Sequence, residues 1–129
     1  MKVITTSVKI FGCFALMSVT ACGDSSNVND AISALSVHYA ITPPNKKWEL
    51  ASIKPASDAK MVDVVVNVTS DSDVSYLKTL SRMEQLSVAK LACPTATPEL
   101  KAALGQNLRV WVHLYAQNKE ITSSICPVF

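Results

Sequence analysis

MVDVVVNVT, residues 61–69, decides how this chain folds. Val62, Val64, Val66 and Val68 recur at every second position with Asp63 and Asn67 between them, the period of a strand with one buried face. LRVWVHLYA, residues 108–116, repeats the pattern: Leu108, Val110, Val112 and Leu114 share one face, and Arg109, Trp111, His113 and Tyr115 the other. Each strand predicts a hairpin. KWELASI (47–53) alternates briefly before the first, with Trp48 and Leu50 on one side and the loop PASDA (55–59) between. After the second, Gln117-Asn118-Lys119 turns the chain into a strand from Glu120 to Cys126.

Helical segments fill the remainder. Asp73–Ala92 reads as one long helix whose apolar residues (Tyr76, Leu77, Leu80, Met83, Leu86, Val88, Leu91) spread over more than one face, which implies contact on two sides. Pro94 ends it. A short helix follows, with Thr97 as its cap, Pro98 in the first position, Glu99 near the positive end and Gly105 as its stop. Upstream, Asn29 or Asp30 caps a helix through Ile41, with Ile32, Leu35 and Tyr39 at helical spacing and Pro43-Pro44 beyond it. Val37 and Tyr39 also suit a strand. The expected fold is α+β: a small antiparallel sheet of two hairpins with helices packed on it, formed by residues 31–129 as a single domain. Cys126 has the parity of Thr122 and Ser124 rather than Ile121 and Ile125, which leaves open the face that meets the long helix.

The N-terminal residues have a different character. Lys2 and Lys9 precede a short apolar run from Ile10 to Val19, too short to span a bilayer comfortably, and small residues follow it. That is the layout of a secretory signal peptide, residues 1–21. Its exit, Val19-Thr20-Ala21-Cys22, resembles the bacterial lipobox. The resemblance implies lipidation of the Cys22 sulfur, cleavage before it and acylation of the new amine. Ordinary cleavage after Ala21 would instead yield a soluble secreted protein. Gly23 follows the cysteine, with Asp24 one place later, so the resemblance implies the outer membrane, periplasmic side. Residues 22–30, the cysteine and the polar GDSSNVND, read as a flexible tether.

The chain has 12 Lys and Arg against 10 Asp and Glu, but Lys2 and Lys9 leave with the signal peptide, so the remaining side chains balance. Only Lys46 and Lys47 are adjacent, which argues against a nucleic-acid partner. With Cys13 discarded and Cys22 lipidated, Cys93 and Cys126 remain. In an oxidising compartment they most simply form a disulfide. The rivals are two free thiols or half of a metal site; the spacing is no CxxC, and only His38 and His113 are at hand to join them. Neither metal nor cofactor is expected.

Catalytic signals are sparse. Gly23 and Gly105 are the glycines left after residue 21, too few for a phosphate-cradling loop or a nucleophile elbow. His113 has no visible nucleophile beside it, His38 has little to recommend it, and Asp71 and Asp73 sit where turns and helix caps want them. The expectation is a protein without enzymatic activity. Trp111 and Tyr115 share a strand face, which Met61 and Val65 join if the strand pairs stack in phase. That face is either a second core layer beneath a helix or a patch that receives a partner.

The run from Met61 to Cys126 resembles the beta-type pilotins of type II secretion, small outer-membrane lipoproteins. The likeness lies in a valine-rich strand, a helix ending in Leu91-Ala92-Cys93-Pro94, a short helix ending at Gly105, and a hairpin closed by Cys126. It covers about half the chain and carries over no binding residues. It implies a non-enzymatic escort that binds the C-terminal helix of a secretin and delivers it to the outer membrane. The alternatives are a periplasmic inhibitor or immunity lipoprotein, and an envelope accessory protein with some other partner.

Overall fold

A computed structural model describes residues 27–127 apart from 46, 59 and 106. The expected signal peptide, Cys22 and the first part of the expected tether lie outside the described residues. The elements are α1 (27–41), β1 (Trp48–Pro55), β2 (Met61–Val68), α2 (Asp71–Thr79), α3 (Arg82–Lys90), α4 (Pro98–Leu104), β3 (Arg109–Ala116) and β4 (Lys119–Ile125). The protein is α+β, with one four-stranded sheet in the order β1-β2-β3-β4 and one disulfide. No helix among the described residues is long and apolar enough to cross a membrane.

Both hairpins form, but the sheet is mixed rather than antiparallel. β1–β2 and β3–β4 are antiparallel, whereas β2 and β3 run parallel, pairing Val62 with Val110, Val64 with Val112 and Val66 with Leu114. The cause is the connection. Three helices carry the chain from the end of β2 back to the end where β2 began, so β3 starts beside Met61 and runs the same way.

The expected long helix is two. Leu80 has an extended backbone (φ −79°, ψ 153°) and closes α2, and Ser81 opens α3 with a capping box. The Ser81 hydroxyl accepts from the Glu84 N–H, and the Glu84 carboxylate accepts from the Ser81 N–H at 2.8 Å. Those bonds hold the Glu84 carboxyl below the usual carboxylate range. The Gln85 amide donates to the Leu77 carbonyl across the break. The spread of apolar residues thus belongs to two helices with separate buried faces, one through Leu77 and the other through Ala89.

At the N-terminal side, residues 27–41 are helical, so the segment read as tether through Asp30 gives up its last four positions to α1, and the strand alternative is excluded. Ala31, Leu35 and Tyr39 form its buried stripe. α4 has the expected punctuation: Thr97 accepts from the Leu100 N–H, Pro98 stands in the first turn, and Gly105 takes φ +62°. The β3–β4 turn has no glycine, so Gln117 (φ 52°) and Asn118 (φ 64°) adopt the left-handed backbone that a two-residue hairpin loop requires.

The core lies on one face of the sheet. Trp48, the four alternate valines of β2, and Val110, Val112 and Leu114 of β3 meet Leu35, Tyr39, Leu77, Ala89, Leu100 and Leu104 from the helices. In β4 the pairing slips between Leu114 and Tyr115. Ser124 and Cys126 are buried on the core side and Ile121 packs against it, whereas Ile125 is exposed. That settles the parity question: the helices meet the face of Val112 and Ser124. Polar groups buried there are paired. The Trp48 indole donates to Asp73 at 3.1 Å, and the Tyr39 hydroxyl donates to the Ala92 carbonyl at 2.7 Å.

Cys93 and Cys126 form the disulfide, joining the segment after α3 to the end of β4 across 33 residues. A loop of that length contributes about 3–4 kcal/mol on the chain-entropy estimate. The double variant Cys93→Ala/Cys126→Ala should therefore lose about that much unfolding free energy in a urea titration. Burial pushes the Tyr39 phenol far above the ordinary tyrosine range. The unfolded chain consequently releases this proton first, and stability should begin to fall as pH rises above about 10. Tyr39→Phe should remove that part of the alkaline loss, as followed by thermal unfolding across pH.

Candidate functional site

Two surfaces on this framework have the character of binding sites. The first is the sheet face turned away from the core. Met61, Asp63, Val65 and Asn67 of β2 alternate onto it beside Arg109, Trp111, His113 and Tyr115 of β3. The four residues expected to cooperate there (Trp111, Tyr115, Met61 and Val65) do share this face. All are half-buried, and none belongs to or packs against the core cluster. They lie outside the core beneath the helices.

The centre of this face is polar. His113, its side chain 13% exposed, lies between two carboxylates: Nδ1 is 2.5 Å from Glu120 Oε1, and Nε2 is 3.2 Å from Asp63 Oδ1. A neutral imidazole donates to only one of them. With both nitrogens engaged, neither points freely at a substrate. The carboxylates flank opposite edges of the ring, and among the described residues no group of three His, Cys, Asp or Glu converges on a metal position. The Trp111 ring lies 4.7 Å from that of His113. It also borders a shallow depression of about 440 Å³ along the β4 edge, shared with Met83, Leu86, Lys90 and Ile125.

The second surface is an apolar groove of about 480 Å³ between α1 and the segment leading into α4. Ala34, Val37, His38 and Ile41 form one wall, and Thr95, Thr97, Glu99 and Leu100 the other. Val37 is 61% exposed and Ile41 78%, large values for β-branched apolar side chains on a helix. The walls are held together by the Thr95 N–H, which donates to His38 Nε2 at 3.2 Å. His38 thus has a structural role that its sequence context did not reveal. The groove itself was missed as well. Its one sequence signal was the second apolar pair on α1, Val37 and Ile41, spaced a turn apart and off the stripe of Leu35 and Tyr39.

The two tryptophans test the assignment of faces. Trp48→Ala removes a buried ring and leaves Asp73 without its donor, and should cost about 3–5 kcal/mol. Trp111→Ala uncovers much less surface and should cost about 1–2 kcal/mol, both read from denaturant unfolding. An equal, large loss from each would contradict the two-faced sheet.

No family model, curated protein or solved structure matches this chain.

Proposed function

We propose that this is a non-enzymatic lipoprotein, anchored through Cys22 to the periplasmic side of the outer membrane, which binds a helical segment of a partner protein in the α1 groove. The observation that carries the reading is the groove, with its exposed Val37 and Ile41. Soluble domains seldom leave two β-branched side chains so open on a helix beside an apolar trough unless something covers them. Ala34 to Ile41 spans about 10 Å of helix, the length of two turns of a partner helix lying alongside. An amphipathic helix in a groove buries apolar anchors at such spacing. Glu99 on the rim suits a basic residue flanking those anchors. In the pilotin-like form of this reading, the helix is the C-terminal tail of a secretin.

The anchor supports the reading independently. The Val19-Thr20-Ala21-Cys22 exit and the polar residues after it join a compact domain to a lipid. Two or three acyl chains hold a protein at a bilayer durably, which one chain does not.

Affinity capture from detergent-solubilised membranes, read by mass spectrometry, tests both parts. The native protein should capture a secretin. Val37→Asp/Ile41→Asp should lose at least tenfold of that capture, about 1.4 kcal/mol or more, with an unchanged melting temperature because both positions are exposed. Cys22→Ser should abolish lipid labelling and leave the signal peptide uncleaved. Capture that survives the groove variant would refute the groove, and a captured toxin or lytic enzyme would replace the escort by an inhibitor.

A further inference from the structure

We propose that the end of the domain at which β2 and β3 begin is a docking surface for anionic phospholipid headgroups, a proposal that rests on the lipid anchor at Cys22. Antiparallel β1 and β4 finish at this end, so it gathers Lys54 near the close of β1, Lys60 before β2 and Arg109 at the start of β3. The Arg109 N–H donates to the Lys60 carbonyl at 2.9 Å, which puts these two cationic residues side by side. Lys90 ends α3 one turn before the disulfide that ties it to Cys126, and Lys101 lies one turn before Gly105. All five side chains are exposed.

The acids nearby are fewer. Asp58 accepts from the Lys60 N–H, and Asp63 faces His113. Asp30, on the first part of α1, and Asp58, whose bond to a backbone N–H leaves its charge in place, are the exposed carboxylates set against the five cations. Among the described residues the other end of the sheet has no such excess: Lys47 and Lys119 stand there among Glu49, Asp71 and Glu120.

An independent observation turns this end toward a membrane. Asn27, where the described part of α1 begins, lines a depression with Ala102, Leu104, Gly105 and Leu108, next to the start of β3. Cys22 stands only five residues earlier. Five residues reach at most about 17 Å even when fully extended. A lipid on Cys22 therefore holds this end, rather than the opposite one, close to the headgroups. Surface potentials decay over about 8 Å at physiological ionic strength, so a tether of this length keeps the cations repeatedly within range. Each basic residue near an anionic leaflet strengthens association by roughly fivefold.

The test uses the lipidated protein reconstituted into vesicles of phosphatidylcholine alone or mixed with phosphatidylglycerol, with lysines footprinted by an amine-reactive reagent and read by mass spectrometry. On the mixed vesicles Lys54, Lys60, Lys90 and Lys101 should label several-fold more slowly than on phosphatidylcholine, while Lys47 and Lys119 keep their rates. High salt, or Lys60→Glu with Arg109→Glu, should abolish the difference. Equal labelling on both vesicles, or protection of Lys47 and Lys119 instead, overturns the docking surface while leaving the anchor standing. Release of the protein from both vesicle types in a high-salt wash overturns the anchor and this surface together.

Discussion

The parallel pairing of β2 with β3 is the constraint on which the rest of the structure depends. Neighbouring parallel strands cannot be joined by a tight turn, so the chain leaves the sheet after Val68 and returns only at Arg109. Everything in that excursion (α2, α3 and α4) closes over a single face and buries the alternate valines of both strands. α1 adds to the same layer through Ala31, Leu35 and Tyr39. The hairpin strands β1 and β4 then take the two outer places, and the disulfide fastens the excursion to β4 at the end where it passes.

This one-sided arrangement divides the surface into regions of different chemistry. On the uncovered face, β2 and β3 bring Asp63 and His113 together, and the hairpin adds Glu120, so the middle of the sheet is occupied by a charged and hydrogen-bonded cluster. The aromatic residues Trp111 and Tyr115 flank it without forming a continuous apolar patch. Apolar binding character is found instead on the helical layer. There α1 presents Leu35 and Tyr39 inward, and Val37 and Ile41 toward the groove. A helix that serves two apolar contacts has to be held firmly, and the bonds from Tyr39 to Ala92 and from Thr95 to His38 do that.

Much of this was legible in the chain because local chemistry decided it. The valine alternation of β2, the Thr97–Pro98–Gly105 punctuation of α4 and the pairing of Cys93 with Cys126 were each the simplest reading of the residues, and the structure keeps them. The break between α2 and α3 was missed, although Ser81 followed three residues later by Glu84 carries its signal. Good helix formers on both sides hid it. Strand direction was not legible: a period of two is the same in either sense, and only the path of the connection makes β3 parallel to β2. The parity of Cys126 left the buried face open for a related reason, since the slip in β4 lets Ile121 and Ser124 both turn inward. The groove needed the segment around Thr95 to be brought beside α1, a long-range event with no local trace beyond Val37 and Ile41.

The two edges of the sheet are guarded by different means. α3 packs beside β4. In β1 the register shifts between Leu50 and Ser52, and the strand closes on Lys54 and Pro55. The bulge interrupts the even ladder of donors and acceptors that a foreign strand would need, proline supplies no N–H, and the lysine charge repels its own copy. Molecules crowded side by side would therefore find no flat edge to extend. The sheet stays at four strands, and the protein resists the strand-by-strand aggregation to which an open edge is prone.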